Sequence, residues 1–216
     1  MIINLSEQNS VVFKFLNELR DKSLQQDSMR FRRNLERLGE IFAYEISKTL
    51  NYVDHEVETP LGIAQSRKSN DRIILATILR AGLPMHNGLL NYFDEAGSAF
   101  ISAYRRHRKD GSFDIKAGYI TCPDLDGSTL ILIDPMLATG ASMKVVLKSL
   151  RDYGTPEVIH IVTAIASVDG INYLRGQFPD ITIWVGAIDE ELTGKSYIVP
   201  GLGDAGDHCY GAKLQE

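Results

Sequence analysis

Four short runs rich in β-branched residues set the limits on how this chain can fold: RIILATIL (72–79), TLILID (129–134), VIHIVTAIA (158–166) and ITIWVGAI (181–188). Each is nearly continuous in apolar character rather than alternating, so each needs cover on both faces. SAFISAYR (98–105) is a fifth, weaker run. Between them the apolar period lengthens to three or four residues, in GLPMHNGLLNYF (82–93), ASMKVVLKSLRDYG (141–154, with Gly154 as the stop) and SVDGINYLRGQF (167–178). Upstream, Phe31, Leu35, Leu38, Phe42, Ile46 and Leu50 share one helical face behind the candidate caps Asp27 and Ser28. Buried strands alternating with helices predict an α/β fold, a mostly parallel central sheet with helices on both faces.

With 216 residues, 44% of them hydrophobic, the chain can build one sizeable core, and no linker rich in Pro, Gly or Ser divides it. A single domain over 1–216 is expected, with 1–30 as an N-terminal helical arm. The glycines of YIVPGLGDAGDHCYGAK (197–213) point to an irregular, closely approached hood rather than a regular element. The arm has apolar residues with no obvious place in the sheet, which predicts a homo-oligomer.

A net charge of −5 supplies no global field for a nucleic acid or an acidic membrane, so neither is an expected partner and any anionic ligand needs a local site. Cys122 and Cys209 form no C-x-x-C pair, and no apolar run approaches the roughly 18 residues of a membrane span. A cytoplasmic protein in a reducing compartment is expected. His55, His86, His107, His160 and His208 are scattered, without zinc-ligand spacing.

Two motif matches fail in context. GLGDAG (201–206) fits G-x-G-x-x-G, but only ten residues follow Gly206, too few for the βαβ unit that this fingerprint opens. Gly194, Lys195 and Ser196 end like a P-loop, yet Asp189 stands where its first glycine belongs.

LILIDPMLATGAS (130–142) carries more. Ligands of open α/β sheets sit beyond the strand carboxyl ends, and Asp134 ends such a strand. An acid there accepts hydrogen bonds from hydroxyls, while the small-residue turn into the next helix exposes backbone N–H groups to an anion. A sugar phosphate suits the pair. The residues alone equally allow Asp134 to cap the next element and Gly140 merely to turn the chain.

This stretch resembles the ribose-phosphate motif of type I phosphoribosyltransferases, and Pro135, in place of a second acid, resembles the form found in the uracil phosphoribosyltransferase family. KSYIVPGLGDAGD (195–207) is similar to that family's base-binding tail, and ILRAG (78–82) and Tyr104-Arg105 match two further motifs in order. The resemblance implies transfer of ribose 5-phosphate from phosphoribosyl diphosphate to uracil, giving UMP and diphosphate. On this resemblance Asp134 binds the ribose hydroxyls and stabilises developing positive charge. Met136, Leu137, Ala138, Thr139, Gly140, Ala141 and Ser142 form the 5-phosphate cradle, and Pro135 counts with them among the ligand-binding residues. Arg80 binds diphosphate, and Arg105 opens a cationic lid, RRHRKDG, that closes over it. The loop 195–211 binds the base through backbone groups of Ile198, Gly203 and Ala205. Asp204 is the candidate for ordering Mg²⁺-bound water, the diphosphate or the uracil nitrogen; a local turn contact is the plain alternative. Mg²⁺ is the implied cofactor, because it binds through substrate phosphates and one or two carboxylates.

Two departures stand out. Ala141 replaces the second glycine of the usual T-G-G turn, which strains the chain if that position needs a positive φ. Residues 107–128 diverge from the family after Tyr-Arg. The rival readings are a purine base in the same fold, against which the tail loop argues, and a non-catalytic sensor of phosphoribosyl diphosphate.

Overall fold

A computed structural model describes residues 1–107 and 113–213, leaving aside the side chains of 103–117. β1 (Ile2–Asn4), α1 (Val12–Arg20) and α2 (Ser28–Ser47) lead into a hairpin of β2 (Tyr52–Thr59) and β3 (Gly62–Ser69). β4 (Ile73–Leu79), α3 (Leu83–Leu90), β5 (Gly97–His107) and β6 (Phe113–Thr121) follow. β7 (Thr129–Ile133), the two-residue β8 (Met136–Leu137), α4 (Ala141–Leu150), β9 (Val158–Ser167), α5 (Val168–Gln177) and β10 (Thr182–Asp189) complete the main sheet. β11 (Glu191–Leu192), β12 (Ile198–Val199) and α6 (Ala205–Tyr210) close the described chain.

The sheet runs β1-β10-β9-β7-β4-β5-β6, with β8 beside β9. All of these pairs are parallel except β5–β6. One face packs Leu75, Ile131, Ile133, Val162 and Trp184 under α1, α2 and α3. The other packs Ala76, Leu130, Leu132, Ile161 and Val185 under α4 and α5. Adjacent residues thus face opposite layers, which is why these strands read as continuous apolar runs. Register pairs Thr77 with Ile133 and Ile133 with Val162, so the loops after β4 and β7 open on one edge.

The structure corrects several expectations. Most of the N-terminal apolar residues are accommodated within this chain: β1 joins the sheet beside β10, and Val12, Leu16 and Leu19 of α1 are buried, while Met1, Val11 and Phe13 stay exposed. The buried ones are therefore no argument for an oligomer. The hood is partly regular, because Asp204 caps α6 by accepting the Asp207 N–H at 3.0 Å and β12 pairs with β11. Asp27 alone caps α2, accepting from Arg30 N–H at 3.0 Å; Ser28 is its first helical residue and Leu50 lies beyond its end. Asn70 N–H bonds to the Asn51 carbonyl at the base of the β2–β3 hairpin, which stands free with nearly every residue exposed.

Candidate active site

The turn after β7 is built by backbone bonds before any ligand arrives. Asp134 N–H donates to the Val162 carbonyl, and the Pro135 carbonyl accepts from Ala164 and Ile165, all at 3.1 Å. Proline costs nothing here, since the position uses its acceptor and needs no donor. β8 then runs beside β9, with Met136 opposite Ile165 and Leu137 opposite Ala166. Gly140 takes φ 76°, in the left-handed region, and α4 begins at Ala141. The positive φ therefore falls on glycine, and Ala141 is unstrained. Thr139 Oγ1 accepts from Ala141 N–H at 3.4 Å.

A second element props this turn from behind. Ser167, the cap of α5, donates to the Ala138 carbonyl at 2.5 Å and accepts from Gly170 N–H at 2.9 Å. Lys144 of α4 donates to the Tyr173 hydroxyl of α5 at 2.8 Å. Sequence reasoning missed these supports; Ser167 preceding a helical pattern was the available signal.

A cavity of about 210 Å³ lies over the turn, walled by Asp134, Thr139 and Ser142 on one side and by Tyr197, Gly203 and Asp204 on the other. Met136, Leu137, Ala138 and Gly140 also line it, as do Ala81, Met143, Ser196, Ala205 and Gly206. Ile198 is buried beneath the hood. Pro135, Ala141 and Ile198 are not in the lining. Ser196 and Tyr197 of this wall fall within the expected base-binding loop 195–211, although neither was singled out.

Burial of Asp134 pushes its carboxyl up to about 7; the Met136 N–H, 3.3 Å away, opposes the shift, and the nearby Asp204 carboxylate adds to it. Asp204 is held below the usual carboxylate range: burial works against ionisation, but the Asp207 N–H and Lys213, 3.3 Å from its carboxylate, outweigh it. The turn-stabilising role of Asp204 is thus real, and its second oxygen still meets a cation. Two acids on opposite walls of one cavity fit a divalent ion bound through water and substrate. Among the described residues no cluster of three or more His, Cys, Asp or Glu forms a closed metal cage.

Arg80 follows β4 on a tight turn, with Gly82 N–H bonded to the Ile78 carbonyl at 3.0 Å. Its guanidinium lies 3.1 Å from the Asp207 carboxylate and 3.3 Å from the Gly211 carbonyl. The loop after β4 and the hood are thus joined. The backbone of Arg105 pairs with Ile115 between β5 and β6, while its side chain falls outside the described residues, as do Arg108 and Lys109.

Burial raises the free thiols of Cys122 and Cys209 to about 11 and about 12. His160 Nδ1 accepts from the Trp184 indole at 3.1 Å, and burial lowers its pKa to about 4; His86 bonds Ser98 at 3.0 Å.

The solved adenine phosphoribosyl transferase from Trypanosoma brucei, in complex with AMP, pyrophosphate and ribose-5-phosphate, shares this fold. It has a TM-score of 0.50 at 11% identity over 76% of this chain and 68% of that one. That likeness shows the fold, an open α/β sheet of which the carboxyl edge here carries an acid and a small-residue turn at the end of β7. The family is specific: the model of uracil phosphoribosyltransferase matches residues 6–212, and the chain belongs to that family of pentosyltransferases. A uracil phosphoribosyltransferase of Porphyromonas gingivalis is 51% identical over 99% of both chains. One from Pyrococcus furiosus is 39% identical over 97% of this chain and 90% of that protein. The solved AQ2163 protein of Aquifex aeolicus superposes with a TM-score of 0.88, at 31% identity over the whole of both chains.

Proposed function

We propose that this protein transfers ribose 5-phosphate from phosphoribosyl diphosphate to uracil, giving UMP and diphosphate. The observation that carries the reading is Asp134 at the end of β7, beside a preorganised turn and facing a glycine-rich hood across one cavity. Displacement at the anomeric carbon develops positive charge on the sugar ring. Asp134 holds the ribose hydroxyls and stabilises that charge, while the N–H groups of the turn, with Thr139 and Ser142, hold the 5-phosphate. Arg80 and Arg105 take the diphosphate.

Gly203 and Ala205 present backbone groups to the base from the loop 195–211. Their N–H groups have no hydrogen-bond partner among the described residues. A fixed backbone edge rejects cytosine by leaving groups unpaired. Asp204 is the residue that would hold Mg²⁺, which when bound would neutralise charge on the departing diphosphate. Ile198 sits beneath the loop and sets its height.

The protein acts in the cytoplasm as a homo-oligomer. The exposed hairpin supports the oligomer: Val53, Val57, Leu61 and Ile63 face outward on a two-stranded ribbon, which is marginally stable in water without a partner surface.

The test is UMP formation from labelled uracil and phosphoribosyl diphosphate with Mg²⁺, run beside cytosine, xanthine and hypoxanthine. Turnover with uracil alone is expected; turnover of a purine, or of no base, overturns the reading.

A further inference from the structure

We infer that Arg20 and Asp189 are positioning residues that clamp the turn beneath the base-binding loop and thereby set affinity for the base. The inference rests on the assignment of 195–211 to the base.

Arg20 ends α1 and Asp189 ends β10, 169 residues apart in sequence. The guanidinium meets the carboxylate through two bonds, Nη1 to Oδ2 and Nη2 to Oδ1, both 2.8 Å. Each partner also holds the backbone of Gly201. Asp189 Oδ2 accepts the Gly201 N–H at 2.9 Å, and Arg20 Nη1 donates to the Gly201 carbonyl at 3.2 Å. One residue of the hood is therefore gripped at donor and acceptor by a pair of opposite charge. Asp189 is buried, at 6% exposed, and Arg20 covers it with 23% of its own side chain exposed.

Gly201 needs that grip. Its φ is 57°, and a Cβ there would fall 2.1 Å from the Ile198 carbonyl, so only glycine fits the turn. Glycine is also the residue least restrained by its own sterics. Ile198 and Leu202 are buried on either side and fix the turn's depth, but apolar packing has no direction. The forked pair supplies direction, and a bidentate guanidinium is specific in angle as well as distance. Gln25 extends the clamp: its amide donates to the Arg20 carbonyl at 3.1 Å, and it lies beside Gly203. A buried ion pair adds little net stability over apolar packing, so its value here is orientation.

A structural staple between α1 and β10 predicts something different from a clamp on the base. A staple would lower the melting temperature and leave both KM values alone. The clamp predicts that Asp189→Asn raises KM for uracil about tenfold, the loss expected when one buried charge-assisted bond is weakened. In the same variant, KM for phosphoribosyl diphosphate and kcat stay within about twofold, because the turn after β7 is untouched. Arg20→Lys, which keeps the charge and loses the fork, should show a smaller change in the same direction. It also serves as the test if Asp189→Asn does not fold.

Gly203→Ala separates the two assignments, since its Cβ would press on His208 inside the loop, 2.9 Å from Nε2. If Gly203→Ala raises KM for uracil while Asp189→Asn and Arg20→Lys do not, the clamp is wrong and the base loop stands. If none of the three moves it, the base-loop assignment itself fails and the clamp with it. Parallel rises in both KM values would also overturn the clamp.

Discussion

Arg80, on the loop after β4, donates to the carboxylate of Asp207 on α6 at 3.1 Å. The cation assigned to the diphosphate is thus tied to the hood that carries the base, and both side chains remain partly exposed, at 40% and 36%. An exposed pair of this kind contributes at most about 1 kcal/mol, so substrate can displace Asp207 at little cost. Arg80→Ala should therefore raise KM for phosphoribosyl diphosphate by about tenfold or more, because a doubly charged group loses its partner. The unfolding midpoint should move by less than about 4 °C. Calorimetric titration with phosphoribosyl diphosphate checks the first part, and unchanged affinity would contradict it.

Asp134 stands in an environment that resists its charge, with its pKa raised to about 7 chiefly by burial. In the unfolded chain the group titrates near its ordinary value of about 4. Between those values the folded state binds more protons than the unfolded state, so this group's contribution to stability falls as pH rises through the window. Asp134→Asn removes that penalty. Its melting temperature relative to the wild-type protein should rise from pH 4 to pH 8, while turnover drops about a hundredfold or more. A stability difference that is flat across this range would mean that Asp134 is ionised without penalty.

The strands that sequence revealed are those buried on both faces, because only there does burial force a continuous apolar run: Ile131 and Leu132 serve opposite layers yet are equally apolar. β2 and β3 carry no such signal, since their faces meet solvent. β6 was hidden for a related reason, being an antiparallel edge strand. In the site, Asp134 to Ser142 were legible because strand end, turn and helix start are contiguous. Arg20 and Asp189 were not, since a salt bridge across 169 residues leaves no local pattern. Residues 197–213 read as irregular because glycine content masked the Asp204 cap of α6.

Gly170 lies outside the turn after β7 yet limits its position. A Cβ there would stand 2.3 Å from the Ala138 carbonyl and 3.0 Å from that of Leu137, so Gly170→Ala must push the phosphate turn. KM for phosphoribosyl diphosphate should rise several-fold, and stability should fall by about 1–3 kcal/mol, as overpacking does elsewhere. Gly176→Ala on the same helix meets nothing within 4 Å and should be neutral or stabilising by up to about 1 kcal/mol. Kinetics and thermal melting of the two variants check this contrast, and equal behaviour would remove Gly170 from the site's support.

The hairpin offers the clearest handle on assembly. Leu61 at its tip is fully exposed, and Val53 and Val57 lie on one face of the ribbon, two and six residues from its base at Asn51. Little within the chain covers them, so a charge introduced there costs the monomer little. Val53→Glu combined with Val57→Glu should leave the melting curve nearly unchanged at low protein concentration while reducing the mass measured by light scattering. Loss of apolar contact at both positions would act twice across a two-fold interface, which makes dissociation steep. A wild-type protein that is monomeric at micromolar concentration would refute the oligomer, and a double variant that keeps the wild-type mass would move its interface away from the hairpin.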